Sequence, residues 1–315
     1  MTEIASIGVD WGTSSFRLWL LARDGAVLAE RRSGQGMQGL APDAFEPALA
    51  GHLAALRTDG LAVPKAPRIV ICGMAGARQG WREAPYMDLP TALNDLPSGA
   101  IEVENGLGAD IRILPGIARR NPDRPDVMRG EETQILGLAG TSQKDLSATI
   151  ILPGTHSKWS TVEKGRVTDF STAMTGELFA LLREHSLLRH SLGAVAIACD
   201  PLNPAFRRGL TQSTEKPANL LQAVFSLRAR SLLFGAGNAD IAAELSGLLI
   251  GAEIAGALRT RPERLILAAN AQTGPLYAAA LHFTGMNFDT VDVEKLACAG
   301  LHSAARLIWP TPREI

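Results

Sequence analysis

The sequence predicts an α/β protein of two domains, and three observations carry that prediction. The chain has 315 residues, a length that suits about two domains. Two stretches, one near the start of each half, share the order apolar strand, Gly-Thr turn, polar or basic strand. They read I-G-V-D-W-G-T-S-S-F-R at 7–17 and I-I-L-P-G-T-H-S-K-W at 150–159. Around them, short apolar runs alternate with segments whose apolar residues recur at helical spacing. Strands and helices mixed in this way pack as sheets flanked by helices.

The first stretch reads as a strand, a tight turn and a second strand, closed at Asp24-Gly25 before a third run. Asp-Gly favours the primed turns that suit hairpins. Gly12 lets the backbone approach a ligand, because it has no Cβ. Thr13, Ser14 and Ser15 offer hydroxyl and N–H groups to an anion. Asp10 stands at the strand mouth, where a carboxylate holds hydrated Mg²⁺ or simply caps the turn.

The second stretch repeats the pattern and is closed by Lys164-Gly165. Gly154, Thr155, His156 and Ser157 form its turn, and Lys158 is a point charge within reach of a phosphate. The pair amounts to a weak internal repeat, and two such hairpins facing one another would grip a polyphosphate from both sides.

Composition narrows the function. The chain is 46% hydrophobic and 20% charged, with a net charge of −1. That balance fits a soluble globular protein and offers neither a nucleic-acid nor a membrane surface. Cys72, Cys199 and Cys298 are scattered without metal-ligand spacing and read as buried thiols in a reducing compartment, the cytoplasm. The longest apolar stretch, 245–258, contains Glu253 and is too short to span a bilayer. No signal peptide is expected ahead of the first strand.

The remaining elements follow in order. Phe45, Leu49, Leu53 and Leu56 recur at helical spacing, with Asp43 in the first turn. R-I-V-I-C at 68–72 is a buried parallel strand. It delivers G-M-A-G-A-R-Q-G-W-R at 73–82, and ligands gather at such strand ends. This loop is either a solvated Gly-rich surface or a carboxylate-binding turn. Further strands are expected at 84–90 and 110–115.

Glu131 and Glu132 follow Gly130 at a helix start, where acids suit the helix dipole and where one of them can serve as general base. The polar stretch 140–146 is the expected domain boundary, giving domains at 1–140 and 146–315. Thr175 and Glu177 open a helix, as caps or as groups reaching sugar hydroxyls. The segment 201–258 is mostly helical core. A strand at 265–268 runs into A-N-A-Q-T-G, a turn at a helix start that suits a phosphate or ribose and includes Asn270. The last strand falls at 288–291 and the last helix at 294–308.

Together the motifs V-D-W-G-T-S-S-F-R, G-M-A-G-A-R-Q-G-W, V-M-R-G-E-E-T-Q, L-P-G-T-H-S-K-W, M-T-G-E-L and L-S-G-L-L-I-G-A-E resemble the 2-dehydro-3-deoxygalactonokinase family. That family lies within the sugar kinase, heat-shock ATPase and actin superfamily. The resemblance implies two duplicated ribonuclease H-like (actin-like ATPase) domains with an interdomain cleft, the last helix packing back on the first domain. It implies ATP-dependent phosphorylation of 2-dehydro-3-deoxy-D-galactonate at its 6-hydroxyl, with ATP and Mg²⁺ as cofactors. The implied partners are small molecules, with no nucleic acid and no membrane, and a homodimer is the assembly to test.

The roles that follow are these. Glu131 or Glu132 is the base, and Asp10 holds Mg²⁺ through water. Gly12, Thr13, Ser14, Ser15 and Arg17 bind phosphate with Gly154, Thr155, His156, Ser157 and Lys158, and Asn270 meets the nucleotide. Gly73, Met74, Gly76, Arg78, Gln79, Trp81, Arg129, Thr175 and Glu177 form the substrate side, with Arg78 meeting the carboxylate. Glu131 is favoured as base because it stands nearest the glycine, and Asp169 is next in line. The rival readings are an exopolyphosphatase-type phosphohydrolase and a non-catalytic sugar sensor. A long polyanion would call for a basic channel, which the net charge disfavours.

Overall fold

The computed structural model describes residues 3–142, 146–193, 199–258 and 261–310. Residues 143–145, within the expected domain boundary, lie outside the described residues. In chain order the elements are β1 (Ser6–Trp11), β2 (Phe16–Leu21), β3 (Val27–Ser33), α1 (Phe45–Thr58), β4 (Arg68–Gly73), β5 (Tyr86–Asp88), β6 (Thr91–Ala92), β7 (Ile101–Glu102), β8 (Asp110–Ile113), β9 (Gly116–Arg119), β10 (Asp126–Met128) and α2 (Glu131–Ser142). They continue with β11 (Ala148–Leu152), β12 (Ser157–Glu163), β13 (Arg166–Ala173), α3 (Thr175–His185), α4 (Arg189–Leu192), α5 (Pro204–Glu215), α6 (Leu220–Phe234), α7 (Asn238–Ala257), β14 (Leu265–Ala269), α8 (Gly274–Phe283), β15 (Asp289–Asp292) and α9 (Val293–Ile308).

Two compact units emerge. The first comprises Met1–Ser147, Val162–Phe170 and Val293–Ile315, and the second Ala148–Thr161 and Ser171–Asp292.

In the first unit a mixed sheet runs in the order β3-β2-β1-β4-β8-β7. Strands β1, β4 and β8 are parallel, while β2, β3 and β7 are antiparallel to their neighbours. Every residue of β1 is buried, as a central parallel strand covered on both faces requires. Its core joins Val9, Trp11 and Phe16 to Phe45 and Leu49 of α1 and to Ile69 and Ile71 of β4. Each such side chain stabilises the fold by about 1.5–3 kcal/mol through burial.

Helix α9 packs on α2 with the two backbones in direct contact. A Cβ on Gly300 would stand 1.9 Å from the Thr133 carbonyl oxygen, and one on Gly137 would stand 2.0 Å from that of Leu296. Only glycine permits this approach. A small second sheet, β10-β9-β5, completes the unit. Strand β5 is shorter than the strand expected at 84–90, because Pro85 and Pro90 bracket it and proline cannot donate to a ladder. Strands β9 and β10 are too short to show a period in the sequence.

In the second unit β11 and β15 flank β14, both parallel to it. Strand β12 follows β11 in the sheet order. The turn from β12 to β13 places Lys164 at φ 48° and Gly165 at φ 71°, the left-handed pair of a primed hairpin turn. The tip of this hairpin belongs to the first unit, where Arg166 and Val167 pair with Ala92 and Thr91. Asn203 caps α5 by accepting from the Ala205 amide at 2.8 Å, with Pro204 in the first turn. Helix α7 is buried without interruption from Ile241 to Gly251, as its lack of a polar face dictates. Among the described residues, no helix is long and apolar enough to cross a membrane.

Candidate active site

The first unit gathers its candidate residues at one end of its sheet. Asp10 pairs in register with Cys72, and Trp11 with Gly73, so the turn after β1 and the loop after β4 leave adjacent strands side by side. In open α/β sheets this is where ligands bind. The turn is braced from behind. The Gly12 amide donates to the Ser15 carbonyl at 2.8 Å, and the amides of Met37 and Gln38 donate to the carbonyls of Gly12 and Thr13 at 3.0 and 2.9 Å. Thr13, Ser14 and Ser15 remain exposed.

Asp10 is buried at 8% exposure. Arg17, opposite it on β2, meets its carboxylate at 3.0 Å and reaches Glu294 of α9 at 3.2 Å. The Cys72 Sγ lies 3.8 Å from Asp10 Oδ1. Burial raises the Asp10 pKa, and the nearby Glu131 charge adds to this, while Arg17 and Cys72 oppose both.

The two glutamates of α2 take different positions. Glu132 is buried, and its carboxylate accepts from the Gly130 amide at 2.7 Å and from the Thr133 hydroxyl at 3.0 Å. Burial, then the charge of Glu131, pushes its pKa up to about 7. Glu131 is half-buried and accepts from the Arg129 amide at 3.1 Å.

The loop after β4 turns at Gly73, whose φ of 85° admits few other residues. Met74–Gly76 forms one 3₁₀ turn. Arg78 and Gln79 are exposed. Trp81 faces inward, its ring stacked 6.3 Å from Phe45 and edge-on 6.3 Å from Trp11, which makes it an apolar wall. Arg129 is the better-placed cation. Its Nη2 donates to the Ala84 carbonyl at 2.8 Å, and its guanidinium lies 4.2 Å from the Tyr86 ring centre. Among the described residues, its Nε and Nη1 are buried with no hydrogen-bond partner.

The second unit carries the other turn. Gly154, Thr155 and His156 are exposed. The start of α3 supports them, since the Glu177 amide donates to the Thr155 carbonyl at 3.0 Å and the Glu177 carboxylate meets His156 Nε2 at 2.6 Å. Lys158 is buried, with Nζ 3.4 Å from the His156 carbonyl. The side chains of Ser157 and Thr175 point elsewhere than expected, as both hydroxyls donate to Glu253 of α7. Asn270 Oδ1 is likewise occupied by the amides of Gln272 and Thr273, at 3.0 and 2.9 Å, where it shapes the turn into α8. Asp169 pairs with Arg119 at 2.7 Å in the first unit, away from any base role the contacts support.

Sequence reasoning missed Glu253, Tyr277 and Glu294 as parts of these sites. Glu253 did carry a signal, being a lone acid in the longest apolar stretch.

Comparison with known proteins decides the family. A model of the 2-keto-3-deoxy-galactonokinase family matches residues 10–304. The chain belongs to that family. It is 47% identical over 304 residues to the probable 2-dehydro-3-deoxygalactonokinase DgoK1 of Rhizobium meliloti (strain 1021), covering 96% of this chain and 97% of the relative. It is 33% identical over 307 residues to the 2-dehydro-3-deoxygalactonokinase of Escherichia coli (strain K12), covering 96% and 98%. The solved structure of a family member from Sinorhizobium meliloti superposes with a TM-score of 0.90 at 46% identity, covering 97% of this chain and all of that one. The xylulose kinase of Lactobacillus acidophilus shares the fold alone, with a TM-score of 0.52 at 10% identity over 97% of this chain and 90% of that one. The family therefore sits on a sugar-kinase fold, as its motifs implied.

Proposed function

We propose that this family member phosphorylates 2-dehydro-3-deoxy-D-galactonate at its 6-hydroxyl, consuming ATP and releasing ADP and 2-dehydro-3-deoxy-6-phospho-D-galactonate in galactonate catabolism. The observation that carries the reading is the convergence of the exposed Gly12–Ser15 turn, Asp10 and Glu131 at one end of the first unit's sheet. Both curated relatives are named as kinases of this sugar acid, which leaves the phosphohydrolase and sensor readings without support. We read the two units as the duplicated actin-like domains of the superfamily, with the cytoplasm as their location. Three free cysteines accord with that compartment.

Phosphoryl transfer needs positioning and charge neutralisation more than covalent chemistry. The turns Gly12–Ser15 and Gly154–His156 supply backbone and hydroxyl donors for phosphate oxygens. Glu131 accepts the proton of the 6-hydroxyl as its oxygen attacks the γ-phosphorus. Arg17 opposes the rise that burial imposes on the Asp10 pKa. Among the described residues no group of three His, Cys, Asp or Glu side chains could hold a metal ion. A lone Asp10 fits Mg²⁺, which retains waters and takes one carboxylate beside the nucleotide's phosphates. When bound, Mg²⁺ supplies charge neutralisation at the phosphates. Arg129 fits the substrate's carboxylate, because its buried Nε and Nη1 lack partners among the described residues and such orphans are costly.

The test is ADP release with ATP, Mg²⁺ and a panel of acceptors: the galacto and gluco ketodeoxy acids, neutral galactose, and none. Turnover should require a ketodeoxy acid. ADP release without an acceptor, or equal turnover of galactose, would overturn the reading.

A further inference from the structure

Glu253 is buried at 8% exposure inside α7, yet four side chains converge on it. Its Oε1 accepts from the Ser157 hydroxyl at 2.6 Å and from the Trp159 indole at 2.8 Å. Its Oε2 accepts from the Tyr277 hydroxyl at 2.6 Å and from the Thr175 hydroxyl. Two oxygens with four donors leave the carboxylate fully satisfied. The donors come from three separate segments. Ser157 and Trp159 begin β12 immediately after the second phosphate turn, Thr175 opens α3, and Tyr277 lies in α8 just past the Asn270 turn. Burial and the Glu253 charge hold the Tyr277 phenol well above its ordinary pKa, so it stays a donor.

We infer that Glu253 is a positioning residue for the nucleotide: it fixes the second phosphate turn, the start of α3 and the start of α8 as one rigid surface. The inference rests on the kinase reading above. The turn's own braces run through α3, by way of the Thr155 carbonyl and His156. Loss of the Thr175 anchor therefore loosens the turn from one side while loss of Ser157 loosens it from the other. Only an ionised carboxylate accepts all four bonds. A glutamine replaces two acceptor sites with an N–H₂ facing donors, which leaves hydroxyls unpaired in a dry site.

The experiment is Glu253→Gln in the full chain, read by calorimetric ADP affinity and by the two KM values. ADP affinity should fall, and KM for ATP should rise, by roughly tenfold or more, the scale on which small misplacements act. KM for the sugar acid should stay within about twofold on the same reasoning, because its contacts lie elsewhere. Glu244→Gln serves as control. Glu244 is a second buried acid of α7, paired with Arg208 at 3.0 Å, and its loss should lower stability without separating the two KM values. If Glu253→Gln does not fold, the double variant Tyr277→Phe with Thr175→Val empties Oε2 alone and should show the same split. Wild-type ADP affinity in a folded variant, or equal changes in both KM values, would overturn the inference. A wild-type protein that turns over no sugar acid would instead sink the kinase reading.

Discussion

Arg17 stands directly across the β1–β2 ladder from Asp10 and meets its carboxylate at 3.0 Å. An aspartate at 8% exposure, its pKa raised by burial, has one cation opposing that rise, and this cation is itself tied to Glu294 at 3.2 Å. Asp10→Asn keeps the shape and removes the charge. The variant should fold, with a melting temperature close to wild type, and should lose the Mg²⁺-dependent kcat by about two powers of ten or more. Near wild-type turnover in a folded variant would remove Asp10 from the metal's site.

Glu131 and Glu132 should separate cleanly. Glu132 spends its carboxylate on the Gly130 amide and the Thr133 hydroxyl, whereas Glu131 is half-buried and acts on the charge of Asp10. Glu131→Gln should lower kcat by about 10²–10⁴-fold, the range for a general base, with KM little changed. If the loss fell on Glu132→Gln alone, the base would be the buried acid.

Recognition of the acid end should depend on Arg129. Arg129→Lys keeps a positive charge but loses the planar fork. KM for the sugar acid should rise about tenfold, equivalent to roughly 1.4 kcal/mol, with KM for ATP unchanged. Exposed Arg78→Ala should change KM for the acid by less than about threefold, as loss of a solvated charge does. The opposite ranking would return the carboxylate to the glycine-rich loop.

Glu132 also sets a pH dependence. Burial raises its pKa from 4.5 to about 7 in the folded protein. Between those values the native state binds more protons than the unfolded one, so stability falls as pH rises through the window and levels off above it. The full effect is on the order of 3 kcal/mol. Urea unfolding at pH 5 and pH 8 should show this loss in wild type and a smaller one in Glu132→Gln. Identical pH dependence in the two would mean that Glu132 does not titrate there.

Much of this was legible in the sequence, for physical reasons. Both Gly-Thr turns lie between two strands, as an apolar run meeting a glycine and hydroxyl residues suggests, and α7 is buried because apolar residues dominate it all round. Arg129 and Arg78 could not be ranked, since that depends on Tyr86 and Ala84 closing around one guanidinium while the other stays in water. The hydroxyls of Ser157 and Thr175 suited a phosphate turn or a helix cap equally well in sequence. What turns them inward is Glu253, remote in the chain and brought beside them only by the packing of α7. Short strands such as β9 and β10 left no period to read.

The backbone packing of α9 on α2 at Gly300 and Gly137 bears on the order in which a nascent chain matures. The first unit starts at the first strand yet draws its last helix, α9, from beyond the second unit in the chain. Until α9 leaves the ribosome, α2 lacks the surface against which its backbone rests, and Arg17 lacks Glu294. The second unit's residues 171–292 are synthesised before that happens. The unit that begins synthesis first is thus completed last, and the Asp10–Glu131 cluster acquires its final support only with the closing helix.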